Sequence, residues 1–95
     1  MNRTELKDRL VALARDLILI PSTDSHPAER ARAFSFFRNH LEPLQGVEIQ
    51  LYESGGYESL VALPTGCVRA EVLMIGHLDV IEHPDLDLYR SRIEN

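Results

Sequence analysis

The chain has 95 residues, of which 44% are hydrophobic and 26% charged, proportions typical of one globular domain covering residues 1–95. Ten Lys and Arg residues against fifteen Asp and Glu residues give a formal net charge of −5, which argues against nucleic acid or an anionic membrane as partner. The single cysteine, Cys67, excludes an internal disulfide, and the charged N-terminus does not resemble a secretion signal. No apolar run is long enough to span a bilayer, so we expect a cytoplasmic location.

The first predicted element is a helix over residues 4–20. Thr4 is its expected N-cap, and Pro21 should end it near Leu19 because proline disfavours helix in the residue before it. Leucine and isoleucine side chains at spacings of three and four form its predicted buried stripe: Leu6, Leu10, Leu13, Leu17 and Ile20.

A second helix is predicted to start at Pro27, after a polar loop, and to be closed by Pro43 and Gly46. Its buried face is predicted to consist of alanine, phenylalanine and leucine side chains: Ala28, Ala31, Phe34, Phe37 and Leu41.

Three short strands should follow the helices. The stretch "VEIQLYE" alternates apolar and polar residues, as half-buried strands do, and "SGGYE" separates it from the apolar stretch "SLVAL". A third apolar run, "EVLMIG", is continuous, which is typical of a strand covered on both faces. The pattern therefore predicts an α/β fold with two N-terminal helices followed by about three strands.

The third run leads directly into "GHLDV", which contains His77 and Asp79. In extended backbone these two side chains lie on the same side, at the strand end where open α/β sheets bind ligands. A neutral imidazole is a common metal ligand, and a carboxylate often fixes its tautomer and orientation. The pair can therefore be a metal ligand with its orienting carboxylate, or a partly buried histidine paired with an aspartate for structural reasons.

Three stretches together resemble the zinc-dependent metallopeptidase family that includes aminoacylases, carboxypeptidases, acetylornithine deacetylase and succinyl-diaminopimelate desuccinylase. They are "LARDLILIPSTDSHPAERARAFSFFRNHL", "SLVALPTG" and "VLMIGHLDVI". The last stretch resembles the metal-binding strand of the family and is the most specific of the three. Two departures stand out: Ser59 replaces the usual asparagine, and "IEHP" replaces the usual valine-proline after the motif.

The resemblance implies a hydrolase that cleaves the amide bond of an N-acyl amino acid or small peptide with two zinc ions. His77 would be a ligand of one zinc, and Asp79 would be the catalytic-site carboxylate that orients its ring. In the family, the bridging aspartate, a Glu-Glu pair and the other ligands follow later. The chain is therefore interpreted as the N-terminal portion of one catalytic domain, inactive alone, with possible self-association through its uncovered sheet.

Two other functions are compatible with the residues. The chain can be a non-catalytic α/β interaction module, or a small metal-binding protein that uses His83 together with His77 and Asp79. A solvated loop position is the simpler interpretation of His83, and Glu82 beside it is also expected to be solvated.

Overall fold

The structure, a computed structural model, describes residues 1–94. Its elements, in chain order, are two α-helices, two β-strands and a single turn of 3-10 helix: α1 (Arg3–Ile18), α2 (Pro27–Leu41), β1 (Val47–Ser54), β2 (Tyr57–Pro64) and the 3-10 turn Leu86–Leu88. Two helices followed by strands confirm the predicted mixed α/β composition, but the described residues form two strands and not about three.

Helix α1 begins with a reciprocal cap. The Asn2 side chain accepts a hydrogen bond from the Glu5 backbone N–H, and the Glu5 carboxylate accepts one from the Asn2 N–H. The prediction of Thr4 as N-cap was therefore wrong, because Asn2 already satisfies this end of the helix. Leu19 is the C-cap, as Pro21 led us to expect.

The apolar stripe of α1 is buried only towards its C-terminal end. Leu6 and Leu10 are 48% and 57% exposed, whereas Ile20, just after the helix, is 6% exposed. Leu13 and Leu17 lie between these extremes. Only the last turns of α1 are therefore covered by the rest of the described chain.

Helix α2 begins at Pro27, as predicted, and packs on β2. Its buried residue is Ala33, which is 1% exposed, and not one of the residues of the predicted face. Phe34 is half-buried and Phe37 is 38% exposed, because this face borders an open cavity and not a packed core.

Strands β1 and β2 form an antiparallel hairpin in which Ser54 pairs with Tyr57. The two loop residues, Gly55 and Gly56, have φ of 59° and 86°, and positive φ at both positions is the geometry of a type I′ turn. Apolar residues pair across one face of the hairpin: Val47 with Pro64, Ile49 with Ala62, and Leu51 with Leu60. The period-two pattern of the sequence thus sets the register of this hairpin.

The predicted third strand is absent from the described residues. Residues 71–79 contain no helix or strand, and the segment 68–79 makes no hydrogen bond between its backbone and another backbone group in the described chain. Within it, Met74 and Ile75 are 91% and 87% exposed. The apolar run led us to expect burial on both faces; among residues 1–94 no element covers it, so it remains unpaired.

We expect the chain to self-associate through this segment, because exposed apolar side chains and unpaired backbone both favour association. Sedimentation velocity at several concentrations should show a concentration-dependent increase in mass. Met74→Glu should weaken association, whereas Ser35→Glu, which adds the same charge at an exposed position on α2, should not. A strictly monomeric wild-type chain at all concentrations would contradict this prediction.

Candidate metal-binding site

His77 and Asp79 lie at the end of the unpaired segment. Their side chains are 82% and 64% exposed, whereas the alternating residues Leu78 and Val80 are half-buried. Side-chain exposure therefore alternates along residues 77–80 with a period of two, as it does in a strand, although these residues belong to no sheet. The His77 and Asp79 side chains contact each other, with 3.1 Å between His77 Nδ1 and Asp79 Oδ1.

The contacts of the His77 ring determine its tautomer. Nδ1 lies 3.0 Å from the backbone oxygen of Asp79 and 3.1 Å from its carboxylate oxygen. Both partners are acceptors, so Nδ1 must carry the hydrogen. In the neutral ring the lone pair then lies on Nε2, which is the arrangement of a metal-ligating histidine with an orienting carboxylate.

The loop between α1 and α2 holds the residues that alternate with this pair. Ser22 Oγ donates to the Leu78 carbonyl at 2.7 Å, and the Val80 N–H donates to the Ser22 carbonyl at 3.0 Å. Ser22 and its neighbour Thr23 are 2% and 0% exposed. The loop thus attaches the His77–Asp79 segment to the folded part of the chain.

A second attachment lies three residues beyond Asp79. The Glu82 carboxylate accepts hydrogen bonds from the Ser25 backbone N–H at 2.7 Å and from the Ser25 hydroxyl at 2.8 Å. These bonds, chiefly the one from the backbone N–H, lower the pKa of the Glu82 carboxyl. Glu82 is exposed, as expected, and in addition it binds Ser25, 57 residues away in sequence, which the sequence did not indicate.

His26, at the N-cap position of α2, joins the same loop. Its Nδ1 contacts the hydroxyls of Thr23 and Ser25, the latter at 3.2 Å. His40 lies in the last turn of α2, where its Nδ1 contacts the Phe36 carbonyl. Both histidines therefore occupy helix ends and not the surroundings of His77.

An open cavity of about 540 Å³ lies between β2, α2 and the extended segment, with His77 and Asp79 on its wall. Its apolar wall includes Phe34 and Phe37 of α2 and Leu60 of β2. The predicted apolar face of α2 therefore faces this space.

A polar corner closes one side of the cavity. The Tyr57 hydroxyl donates a hydrogen bond to the Asp24 carboxylate at 2.6 Å. The Arg30 guanidinium lies 4.7 Å from the centroid of the Tyr57 ring and also forms a salt bridge with Asp24. The hydrogen bond to the Asp24 carboxylate raises the pKa of Tyr57. Asp24 balances the positive charge of Arg30, and His77 Nε2 is an open donor atom on the same cavity wall.

His83 lies elsewhere. Its Nδ1 accepts a hydrogen bond from the Asp85 N–H at 3.0 Å, and it borders a separate cavity with His26 and Glu82. In residues 1–94, no three His, Cys, Asp or Glu side chains are arranged to hold a metal ion. Of the three residues considered for a local site, the structure brings together His77 and Asp79 and leaves His83 apart.

Comparison of the chain with protein-family models, with curated proteins and with solved structures finds no match. Within the described residues, no helix has both the length and the apolar character needed to cross a membrane. The family resemblance therefore remains a prediction that rests on the three stretches quoted above.

We expect His77 to be an Nδ1–H tautomer when neutral, because both groups facing Nδ1 are acceptors. Long-range ¹H–¹⁵N spectra above the histidine pKa should show a protonated Nδ1 and an unprotonated Nε2 for His77. Asp79→Ala should shift the ring towards the Nε2–H form, whereas Asp87→Ala, an exposed aspartate outside the contact, should not. A wild-type ring in the Nε2–H form would refute the proposed contact.

The Ser25–Glu82 contact should weaken on acidification. Because the folded-state pKa of Glu82 is lowered, its contribution to stability is fully present above the unfolded pKa and is lost as pH falls through the folded one. The Ser25 amide resonance should therefore titrate with a midpoint below the ordinary glutamate pKa, and Glu82→Gln should abolish this step. A midpoint at or above the ordinary value would show that the contact does not persist in solution.

Proposed function

We propose that this chain supplies a histidine ligand, His77, and its orienting carboxylate, Asp79, to a zinc-dependent amide hydrolase of N-acyl amino acids or small peptides. The observation that carries the proposal is the 3.1 Å contact between His77 Nδ1 and Asp79 Oδ1. It leaves Nε2 free on an exposed ring. The substrate class comes from the family resemblance and not from a feature of the cavity.

The donor set of this chain fits one ligand of such a centre. Asp79 holds the ring by Nδ1, so that Nε2 points away from the carboxylate and keeps its lone pair. When bound, paired zinc ions polarise the scissile carbonyl and lower the pKa of a bound water. The role of His77 and Asp79 is ligation and orientation, and the proton-accepting base is not assigned to either residue.

The complete open reading frame that encodes this chain provides the direct test. Its zinc-loaded product should hydrolyse members of a panel of N-acyl amino acids and dipeptides. His77→Ala should abolish turnover, Asp79→Asn should reduce it by about 10- to 100-fold, as loss of a ligand's supporting carboxylate does, and His83→Ala should leave it unchanged. No turnover by the wild type, or equal turnover by His77→Ala, would count against the proposal.

The 95-residue chain by itself should bind zinc weakly and should not turn over these substrates, because stable zinc sites need three or four ligands. Calorimetric titration with zinc should give a shallow curve. In NMR spectra recorded during the same titration, His77 should be the histidine whose resonance responds to zinc. His77→Ala should remove that response, and His40→Ala is the matched control. Tight stoichiometric binding that disappears in His83→Ala would instead support the local three-ligand site.

An interaction module is the second candidate function, and the exposure of the run from Val72 to Ile75 favours it. These four residues are 70–91% exposed, which is unusual for consecutive apolar side chains. Such a module should lack zinc-dependent turnover in any form of the protein. The turnover assay above therefore separates the two functions.

A further inference from the structure

Ser22 makes two hydrogen bonds to the residues around the candidate site. Its hydroxyl donates to Leu78 O, and its carbonyl accepts from Val80 N. Its own N–H is already bonded to Ile20 O at 2.8 Å, so the hydroxyl is the donor that reaches the segment. With 2% of its surface exposed, Ser22 makes these bonds away from competing water.

The two bonded residues are the ones that alternate with the metal-binding pair. Leu78 and Val80 face the loop and are half-buried, while His77 and Asp79 face outward. The two bonds flank Asp79 and so restrain its backbone on both sides. His77 contacts the Asp79 carboxylate at 3.1 Å, so a restraint on Asp79 also bears on the His77 ring.

We propose that Ser22 is a positioning residue for His77 and Asp79. Its hydroxyl donates to Leu78 O, its carbonyl accepts from Val80 N, and together these bonds hold the backbone of residues 78–80 in place. The consequence for zinc ligation rests on the proposed function. The effect of Ser22 on the geometry of His77 and Asp79 can be tested separately. Ser22 acts through the backbone of Leu78 and Val80, and it is not itself a ligand.

The other restraints on this segment cannot replace Ser22. Residues 68–76 make no backbone–backbone hydrogen bond within the described chain, so nothing there fixes the segment before His77. Beyond the site, the Ser25–Glu82 contact lies on the surface, and Tyr89 donates to Ile81 O at 2.7 Å. Both hold the chain after Asp79.

The test compares Ser22→Ala with Ser22→Thr, which keeps the hydroxyl, and with Ser25→Ala, which removes the surface contact. Amide exchange of Val80 and the tautomer of His77 are measured in the metal-free 95-residue chain, followed by the zinc response of the His77 signal. Ser22→Ala should speed Val80 exchange about tenfold, because a buried hydrogen-bonded attachment is lost. It should also reduce the Nδ1–H fraction of His77 and weaken the zinc response.

Recovery of the tautomer and the zinc response in Ser22→Thr, with a smaller change in Ser25→Ala, supports the proposal. An unchanged His77 tautomer in a folded Ser22→Ala variant overturns it. If Ser22→Ala unfolds, an amide-to-ester replacement at Val80 removes the matching N–H while keeping the Val80 side chain, and the same tautomer change decides. Absence of a zinc response in wild type refutes the metal role of His77, while the tautomer and exchange data still decide whether Ser22 positions the pair.

Discussion

The buried loop between the two helices is the constraint on which the candidate site depends. The four buried side chains of the described chain are Ile20, Ser22, Thr23 and Ala33, so three of the four lie in this loop. The hydrogen bonds between Ser22 and residues 78 and 80 attach the segment that follows β2 at this point, and the Ser25–Glu82 contact attaches it again further along the chain. The bonds of Ser22 are the attachment nearest to His77.

A core that includes a serine and a threonine is stable only if their polar atoms are bonded, since an unpaired buried donor or acceptor costs about 1–3 kcal/mol. The loop meets this condition locally. The N–H groups of Ser22 and Thr23 bond to the carbonyls two residues earlier, both at 2.8 Å, and Thr23 Oγ1 bonds to His26 Nδ1. The tight backbone therefore leaves the hydroxyl of Ser22 free to reach Leu78.

Local patterns in the sequence were sufficient for the elements whose partners are close in the chain. The Pro21 stop, the Pro27 start and the glycine turn of the hairpin all depend on neighbouring residues, and all three are where the sequence indicates. The burial of "EVLMIG" depends on partners elsewhere, and no partner lies within the described residues. A hydrophobic run predicts that a segment would gain from burial; it does not specify what covers it.

The loop residues of the site were harder to predict for a related reason. Ser22 and Thr23 are short polar residues in a stretch of turn composition, where exposure is the usual outcome. Their burial follows from a contact that spans 56 residues, and no local period reports such a contact. Glu82 is a similar case, because its partner Ser25 lies on the same distant loop.

The geometry of His77 was predictable although the strand that was expected to create it is missing. Both acceptors facing its Nδ1 belong to Asp79, two residues away, so the ring orientation depends on three consecutive residues and not on a sheet. Ser22 restrains the backbone of these residues. The orientation of a ligand can therefore form before the rest of a metal centre surrounds it, whereas the number of ligands, and hence the affinity for zinc, depends on residues brought from elsewhere. This separation explains how a well-oriented pair can lie on an exposed segment with 82% of the histidine side chain open to solvent.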